Sequence, residues 1–316
     1  MPNKNPILVT GAAGNIGAVG RTVVEMLCKK NLPVRAFVHR IDERSQALSQ
    51  IGAEIVIGDL TDGSDVKRAL EGCRRMYFGM SVSPPYLEAT VIAAAAAKES
   101  HDFEVFVNIS QMTVSQMSLT NMTDSLQQRQ HWLAEQVLNW SGLPVVHVRA
   151  TVFLEHPFFS SWAAASIVKD GTIRLPFGTA RTSPICAYDV ARVISAVLEN
   201  PSKHIGKVYE LTGPRSQDMN AIASEYSAAL NKPVVYVDMP YDEWYKKGLS
   251  SYGLPEHVLN HFATMAKLHK ENRYDRLTHD VEKITGKPAL SIEEYVQKHA
   301  DLFSGVSQSV SLAISD

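Results

Sequence analysis

Short apolar runs alternate with amphipathic stretches through the first half of the chain, a pattern typical of βαβ units and a parallel sheet. The apolar runs predict six strands, at residues 6–10, 33–39, 54–57, 75–79, 103–109 and 143–149. The amphipathic stretches predict helices at residues 16–29, 65–70, 87–98 and 124–140. We therefore expect a doubly wound parallel α/β sheet of the Rossmann type, in which ligands bind outside the carboxyl ends of the strands.

The second half of the chain has a different pattern. It predicts helices at residues 158–169 and 188–198, a strand near 207–212, and mostly helices from Gln217 onward. We expect residues 1–152 to form the Rossmann domain and residues 153–304 a smaller, mostly helical substrate lobe. The two are interleaved, because the strand near 207–212 returns to the sheet, and residues 305–316 form a loose tail.

Composition narrows the range of functions. A chain of 316 residues can bury a large core, and its net charge of -2 lacks the basic excess that favours direct nucleic-acid or membrane-surface binding. Three widely spaced cysteines, without a CxxC pair, argue against a zinc site or a disulfide framework. The apolar run at residues 91–97 is too short to span a bilayer, so we expect a cytoplasmic protein. The pattern does not indicate an oligomeric state.

A glycine-rich segment follows the first predicted strand, with the spacing G-x-x-G-x-x-G from Gly11 to Gly17. Gly11 permits a tight turn, Gly14 lets backbone N–H groups approach a pyrophosphate, and Gly17 allows close packing of the next helix. The start of that helix carries a partial positive charge that favours phosphates. Strand, turn and helix together predict a dinucleotide site, the alternative being a purely structural turn.

The end of the second strand predicts which dinucleotide is bound. An acidic residue there would bind the ribose hydroxyls of NAD, whereas a basic one would bind the extra phosphate of NADP. This chain has Arg40, which favours NADP(H) over NAD(H), although nearby Asp42 and Glu43 allow Arg40 to be a solvated surface residue. Asp59 follows the third strand, where it either accepts from the adenine amino group or belongs to a turn or helix cap.

These features together resemble the NmrA-like family of atypical short-chain dehydrogenases. The resemblance runs from about residue 6 to residue 303. Its later matches are, in order, Ala134-Glu135, Ser141-Gly142-Leu143-Pro144, Arg149, residues 151–156, Tyr188-Asp189-Val190-Ala191, Leu211-Thr212-Gly213-Pro214 and Ile284-Thr285-Gly286.

The resemblance implies an NADP(H)-type Rossmann domain with a small C-terminal lobe. It implies either a reductase of quinones, dyes or other small molecules, or a redox-sensing regulator that binds the cofactor without turnover. The positions that it assigns to the pyrophosphate are Gly11, Ala12, Gly14, Asn15, Ile16 and Gly17. It assigns Arg40 to the adenosine phosphate and Asp59 and Leu60 to the adenine. The nicotinamide half would be surrounded by Met80, Ser81, Ser110, Gln111, Ala150, Thr151, Val152 and Phe153.

The chain departs from short-chain dehydrogenases at the catalytic pair. Those enzymes place Tyr and Lys one helical turn apart, so that the ammonium lowers the pKa of the tyrosine. Counting back from Glu135, the two positions hold Gln127 and His131. His131 could hydrogen-bond the nicotinamide ribose or act in catalysis, or be a helix-surface or half-buried histidine. Ser110 could orient a substrate carbonyl, or be a turn or cap residue.

The substrate pocket is predicted from residues after the sixth strand. His156, Phe158 and Phe159 could line it, although an aromatic pair that opens a helix can equally belong to the core. Tyr188 could face the cleft, beside Asp189 as a helix cap. The polar stretch at residues 111–128 is either a lid or a disordered loop.

Three functions fit these residues. The first is an NADPH-dependent oxidoreductase that transfers hydride to a small apolar acceptor, a quinone or a conjugated carbonyl, because a reactive acceptor needs less help from a protein acid. The second is a non-catalytic NADP(H) sensor that regulates a protein partner. The third is a biosynthetic isomerase or epimerase that holds NADP tightly.

Overall fold

The computed structural model describes residues 5–14, 18–100 and 102–305 of the chain. Its strands are β1 Ile7–Val9, β2 Val34–Val38, β3 Glu54–Ile57, β4 Arg75–Phe78, β5 Val105–Gln111, β6 Val145–Ala150, β7 Thr172–Leu175, β8 Arg181–Thr182, β9 Val208–Leu211, β10 Gln217–Asp218 and β11 Val235–Asp238. Its α-helices are α1 Val19–Lys29, α2 Glu43–Gln50, α3 Gly63–Leu70, α4 Tyr86–Lys98, α5 Leu126–Trp140, α6 Ser161–Asp170, α7 Ala187–Glu199, α8 Met219–Leu230, α9 Tyr241–Lys247, α10 Glu256–Lys270, α11 Asp280–Thr285 and α12 Ile292–Lys298.

Seven strands form one parallel sheet in the order β3-β2-β1-β4-β5-β6-β9. The chain proceeds outward from β1 through β2 to β3, then returns to the other side of β1 at β4. The predicted doubly wound α/β fold is confirmed. In such a sheet the reversal of strand order opens a crevice at the carboxyl ends of the two strands concerned, here β1 and β4.

The sheet is held by helices that present small or apolar side chains to it. On α4, Ala89, Ala93 and Ala97 are fully buried, and their size lets the helix approach the strands closely. They pack in one cluster with Phe78 of β4 and Phe106 of β5. The polar side chains at the strand ends are thereby held on a rigid support.

The chain divides into two compact units. The first comprises the described residues within 1–122, 127–150 and 190–210, and the second those within 123–126, 151–189 and 211–316. The second unit contains two two-stranded sheets, β7 with β11 and β8 with β10, together with α8 to α12.

Several elements differ from the sequence expectations. Helix α2 and strands β7 and β11 were not predicted, and α6 begins at Ser161 rather than at Phe158. The polar stretch at 111–128 is not one long loop, because Met112–Gln116 is a 3₁₀ helix with buried apolar side chains and α5 begins at Leu126. The predicted tail at 305–316 lies outside the described residues except for residue 305. In the described part of the chain, no helix is both long and apolar enough to cross a membrane.

Candidate functional site

The ends of β1 and β4 are joined by a pair of hydrogen bonds at the reversal point of the sheet. Thr10 Oγ1 donates to the carbonyl oxygen of Gly79 and accepts from the N–H of Gly79, each at 2.9 Å. Thr10 is 1% exposed, so both bonds are shielded from water. They fix the backbone of the β4 end against the start of the glycine turn.

Close backbone contacts explain two glycines of this turn. Gly11 has φ +64°, and a Cβ there would lie 2.6 Å from the carbonyl oxygen of Gly79. The N–H of Gly14 donates to the carbonyl oxygen of Gly11 at 3.2 Å, and a Cβ on Gly14 would lie 3.2 Å from the same oxygen. Ala12, between them, is fully buried. Only glycine combines this φ with this proximity at position 11.

Among the described residues, Gly20 also lets α1 approach the turn, and the sequence analysis did not single it out. A Cβ on Gly20 would lie 2.7 Å from the carbonyl oxygen of Gly11. Gly17 was predicted for this role, and it lies with Asn15 and Ile16 outside the described residues. Gly20 is the second residue of α1, which begins at Val19. A glycine in the first turn of the helix was the sequence signal for this close approach.

Arg40 follows β2 and is available to a ligand. Its side chain is 61% exposed, and its Nε lies 3.9 Å from Asp42 Oδ2, outside hydrogen-bond distance. Asp42 instead caps α2 by accepting from the N–H groups of Arg44 and Ser45. The hydrogen bond from the Arg44 side chain, 2.9 Å from Nε to Oδ2, holds the pKa of Asp42 below its usual value. The nearby carboxylate is therefore already engaged.

Asp59 belongs to a turn after β3. Its Oδ1 accepts from the N–H of Thr61 at 2.8 Å and from the Thr61 hydroxyl at 2.7 Å, and these bonds lower the pKa of Asp59. The N–H of Asp59 donates to Asp65 Oδ2 at 2.9 Å. Asp59 therefore has the bonds of a turn residue. Its exposed carboxylate lies after the carboxyl end of β3. Leu60 is half-buried against the core of the first unit.

The fourth and fifth strand ends bring four predicted residues to the same edge of the sheet. Met80 is half-buried and Ser81 exposed after β4. Ser110 and Gln111 are the last residues of β5 rather than residues after it. Ser110 is 2% exposed, and its Oγ has no hydrogen-bond partner among the described residues. A buried hydroxyl without a partner costs free energy, which a ligand or water would recover.

Gln127 and His131 lie one turn apart in the first half of α5. Gln127 Nε2 is 3.1 Å from His131 Nε2, and the two residues are 3% and 6% exposed. The ring of His131 also contacts Tyr86 of α4, with 4.2 Å between ring centroids. His131 is therefore not a surface histidine, as one alternative reading of the sequence would have it.

A charged pair fixes the position of α5 on the sheet. Arg149 of β6 donates to both carboxylate oxygens of Glu135, at 3.0 Å from Nε and 2.6 Å from Nη2. Glu135 is 1% exposed, and Glu210 lies 3.7 Å from the same guanidinium. A two-point bond of this kind restrains rotation as well as distance. It anchors the helix that carries Gln127 and His131.

The segment after β6 passes from the first unit into the second. Ala150, Thr151 and Val152 are each 5% exposed or less, and Phe153 is half-buried. The N–H of Thr151 donates to the carbonyl oxygen of Leu211 at 3.0 Å. Thr151 Oγ1 has no hydrogen-bond partner among the described residues.

Within the second unit, the four predicted pocket residues have different surroundings. Phe158 is fully buried in an aromatic cluster, and Phe159 is fully buried beside Phe177 of the same cluster. His156 is 7% exposed and contacts Phe158 and Phe262, with 4.3 and 4.4 Å between ring centroids. Burial holds the pKa of His156 well below its usual value. Tyr188 is 48% exposed in the first turn of α7.

Glu155 has an environment that the sequence analysis did not foresee. Its carboxylate accepts from the N–H of Ala187, the first residue of α7, at 3.0 and 3.2 Å, and from the thiol of Cys186 at 3.2 Å. Burial raises the pKa of Glu155 to about 7 in spite of these bonds. Among the described residues no cluster of three His, Cys, Asp or Glu side chains could hold a metal ion.

A doubly wound sheet with a glycine turn at its reversal point defines a Rossmann-type nucleotide-binding fold. The model of the NmrA-like family matches residues 3–302, and the chain belongs to this family. The predicted resemblance is confirmed.

Relatives and solved structures similar to this chain include enzymes and a regulator. The chain is 27% identical over 299 residues to an NAD(P)H azoreductase of Xenophilus azovorans. This match covers 94% of this chain and 99% of the azoreductase. The crystal structure of an NADPH-dependent quinone oxidoreductase of Escherichia coli with NADPH has a TM-score of 0.80 at 21% identity, covering 93% and 99% of the two chains. The crystal structure of NmrA, a negative transcriptional regulator, in complex with NADP has a TM-score of 0.76 at 17% identity. The match covers 93% of this chain and 95% of that chain.

The residues present fit a dinucleotide at the carboxyl edge of the sheet. At the turn after β1, Gly11 and Gly14 present backbone without a side chain, which a pyrophosphate requires. Arg40 presents an exposed guanidinium at the end of β2. The hydroxyl of Ser110, which has no hydrogen-bond partner among the described residues, lies at the end of β5, on the β4 side of the reversal point.

Proposed function

We propose that the chain is an NAD(P)H-dependent oxidoreductase that reduces a small apolar acceptor, a quinone or a conjugated carbonyl. The observation that carries the proposal is the glycine turn at the β1–β4 reversal point, where Gly11 closes against Gly79 without room for a side chain. The names of two similar proteins, an azoreductase and a quinone oxidoreductase, support the reaction class.

Residues of the first unit would hold the cofactor. The backbone at Gly11, Ala12 and Gly14 would bind the pyrophosphate, and Asp59 with Leu60 would flank the adenine. When bound, the reduced nicotinamide would supply a hydride. Met80, Ser81, Gln111 and Ala150 would border its ring, and Ser110 would donate its otherwise unpartnered hydroxyl hydrogen.

NADP(H) is the cofactor that we favour. Arg40 is exposed, whereas the neighbouring Asp42 is committed to the cap of α2 and to Arg44. The carboxylate 3.9 Å from Arg40 is thus shared with Arg44 and the helix cap, and the exposed guanidinium can still pair with the phosphate that distinguishes NADP from NAD.

The acceptor class follows from the residues at the Tyr and Lys positions. Gln127 and His131 form a buried hydrogen-bonded pair there, and an amide cannot give up a proton near neutral pH. A quinone or a conjugated carbonyl accepts hydride with little acid assistance, and water can protonate the product. Unactivated ketones would need the acid that this helix lacks.

A direct test is NADPH oxidation by the purified chain across quinones, enones, azo dyes and simple ketones. We expect turnover with quinones or enones at least about tenfold above the rate with ketones, which corresponds to about 1.4 kcal/mol of the barrier. Gly11→Ala serves as the matched inactive variant. Rates at the level of this variant for every acceptor would contradict the proposal.

A second candidate, a cofactor-sensing regulator, is favoured by the same buried amide and by the likeness to a negative transcriptional regulator. A sensor must distinguish oxidised from reduced cofactor, since equal affinities shift no equilibrium. Calorimetric affinities for NADP and NADPH that differ at least about tenfold, without turnover of any acceptor, would favour this function. Equal affinities, and no partner recovered by pull-down, would contradict it.

A further inference from the structure

The amide of Gln127 lies between two groups, and one of them fixes its orientation. On one side the backbone N–H of Ser83 donates to Gln127 Oε1 at 3.1 Å. A backbone N–H can only donate, so the atom that faces it must be the amide oxygen. The amide nitrogen, Nε2, is therefore the atom directed at His131.

This orientation determines the state of the His131 ring. Gln127 Nε2 is a donor without acceptor capacity, and it lies 3.1 Å from His131 Nε2. His131 Nε2 must then accept, which requires that it carry no hydrogen. A neutral imidazole with an unprotonated Nε2 has its hydrogen on Nδ1.

We propose that Gln127 is a positioning residue that keeps His131 neutral, with the ring proton on Nδ1. Protonation of the ring would place an N–H on Nε2 against the N–H groups of the amide, two donors face to face. The amide cannot rotate to relieve this conflict without losing the bond from Ser83. In a buried site, two facing donors and an unpaired N–H of Ser83 each cost free energy.

Among the described residues, Tyr86 and Glu135 are titratable groups that bear on the ring. Tyr86 of α4 packs against the ring at 4.2 Å between centroids with the two planes tilted by 48°, and its hydroxyl donates to the carbonyl oxygen of Ile109. Burial raises the pKa of Tyr86 well above its usual value, so it stays neutral. Glu135 lies one turn further along α5, where Arg149 neutralises its charge through two hydrogen bonds. These neighbours do not oppose the effect of Gln127.

The consequence for the reaction rests on the proposed function. A neutral ring with a hydrogen on Nδ1 is a fixed hydrogen-bond donor, and its charge does not change near neutral pH. His131 would then orient a carbonyl or hydroxyl group of a ligand, and would not serve as a store of protons. A rate governed by this residue would be flat between about pH 6 and pH 8.

The test reads the ring itself, without cofactor or acceptor, so its failure is distinct from failure of the proposed function. We would record histidine ring ¹⁵N shifts by NMR over the range of about pH 5 to pH 8.5, with His131→Gln to assign the signals. The expected wild-type result is the Nδ1–H tautomer throughout. In Gln127→Glu, a carboxylate replaces the amide without change of shape, and the protonation midpoint of His131 should rise by about 1 to 3 pH units relative to wild type.

Gln136→Glu is the matched control, because it adds the same charge to the far side of α5 and should leave His131 unchanged. Gln127→Met provides a second variant if the glutamate destabilises the fold, and it should release the ring into a mixture of tautomers. An Nε2–H tautomer in the wild type would overturn the proposal. So would equal titration of His131 in the wild type and in Gln127→Glu, or an unchanged single tautomer in Gln127→Met.

Discussion

The hydroxyl of Thr10 and the backbone of Gly79 exchange two hydrogen bonds, each 2.9 Å long. In a parallel sheet, two residues cannot exchange both hydrogen bonds through their backbones alone, because the bonds between the strands are evenly spaced and slanted. The threonine side chain thus continues the sheet by one step beyond β1 and β4. Gly11 follows at once, and its φ of +64° turns the chain across the crevice.

Replacement of Thr10 tests this connection. Thr10→Val keeps the shape of the side chain but leaves both polar groups of Gly79 without their partner. We expect the free energy of unfolding to fall by about 1 to 3 kcal/mol. Thr10→Ser retains the hydroxyl and should lose less. Urea unfolding of the three proteins measures the order, and equal loss in both variants would contradict the role of the hydroxyl.

Gly20 is expected to be as intolerant as the glycines of the turn. In Gly20→Ala, the added Cβ meets backbone atoms of Gly11 and Ala12 at 2.7 to 3.0 Å, so α1 must move away from the turn. We expect weaker cofactor binding by about tenfold or more, and a loss of stability of about 1 to 3 kcal/mol. Gly63→Ala, with no heavy atom within 4 Å of its added Cβ, is the control and should be neutral. An unchanged affinity in Gly20→Ala would show that this contact is dispensable.

Arg40 is expected to determine the preference for NADPH. Arg40→Ala should weaken NADPH binding by about tenfold to a hundredfold, the usual contribution of a hydrogen bond to a charged group, and leave NADH binding unchanged. Lys29→Ala removes an exposed cation at the other end of α1 and should affect neither cofactor. Fluorescence titration with both cofactors gives the four affinities. A parallel loss for NADPH and NADH would remove Arg40 from the phosphate site.

Glu155 is expected to make stability depend on pH. Its pKa in the folded chain, about 7, lies above the ordinary 4.5, so the folded state holds the proton more tightly than the unfolded state. This contribution is complete below about pH 4.5 and is lost as the pH rises toward 7, by at most about 1.4 kcal/mol per pH unit. Glu155→Gln cannot ionise, yet its amide oxygen can still accept from Ala187. Measured by urea unfolding, the free energy of unfolding of Glu155→Gln should therefore rise relative to that of the wild type between about pH 5 and pH 7.5. A difference that stays constant over this range would contradict the role of Glu155.

The sheet could be predicted because its signal is local. Each strand of the first half is a short apolar run, and α1, α3, α4 and α5 follow as amphipathic stretches. Helix α2 was not predicted because only two of its eight residues, Ser45 and Leu48, are buried, which leaves almost no apolar face in the sequence pattern. Its real signal is the cap formed by Asp42 and Ser45.

Contacts between distant positions could not be predicted. The sequence indicates that Gln127 and His131 share a helix face, but not that Ser83, 44 positions earlier, orients the amide. The same is true of Glu155, whose environment depends on Ala187, 32 positions later. Phe158 shows the converse limit, since an aromatic residue after a strand fits a pocket or a core equally well until its neighbours are known.

The most direct test is calorimetric titration of the purified chain with NADPH, NADP, NADH and NAD. The account predicts saturable binding of at least one of them at micromolar concentration, and its loss in Gly11→Ala, whose Cβ would collide with Gly79. Absence of binding for all four dinucleotides at millimolar concentration, by a chain that unfolds cooperatively in urea, would contradict it.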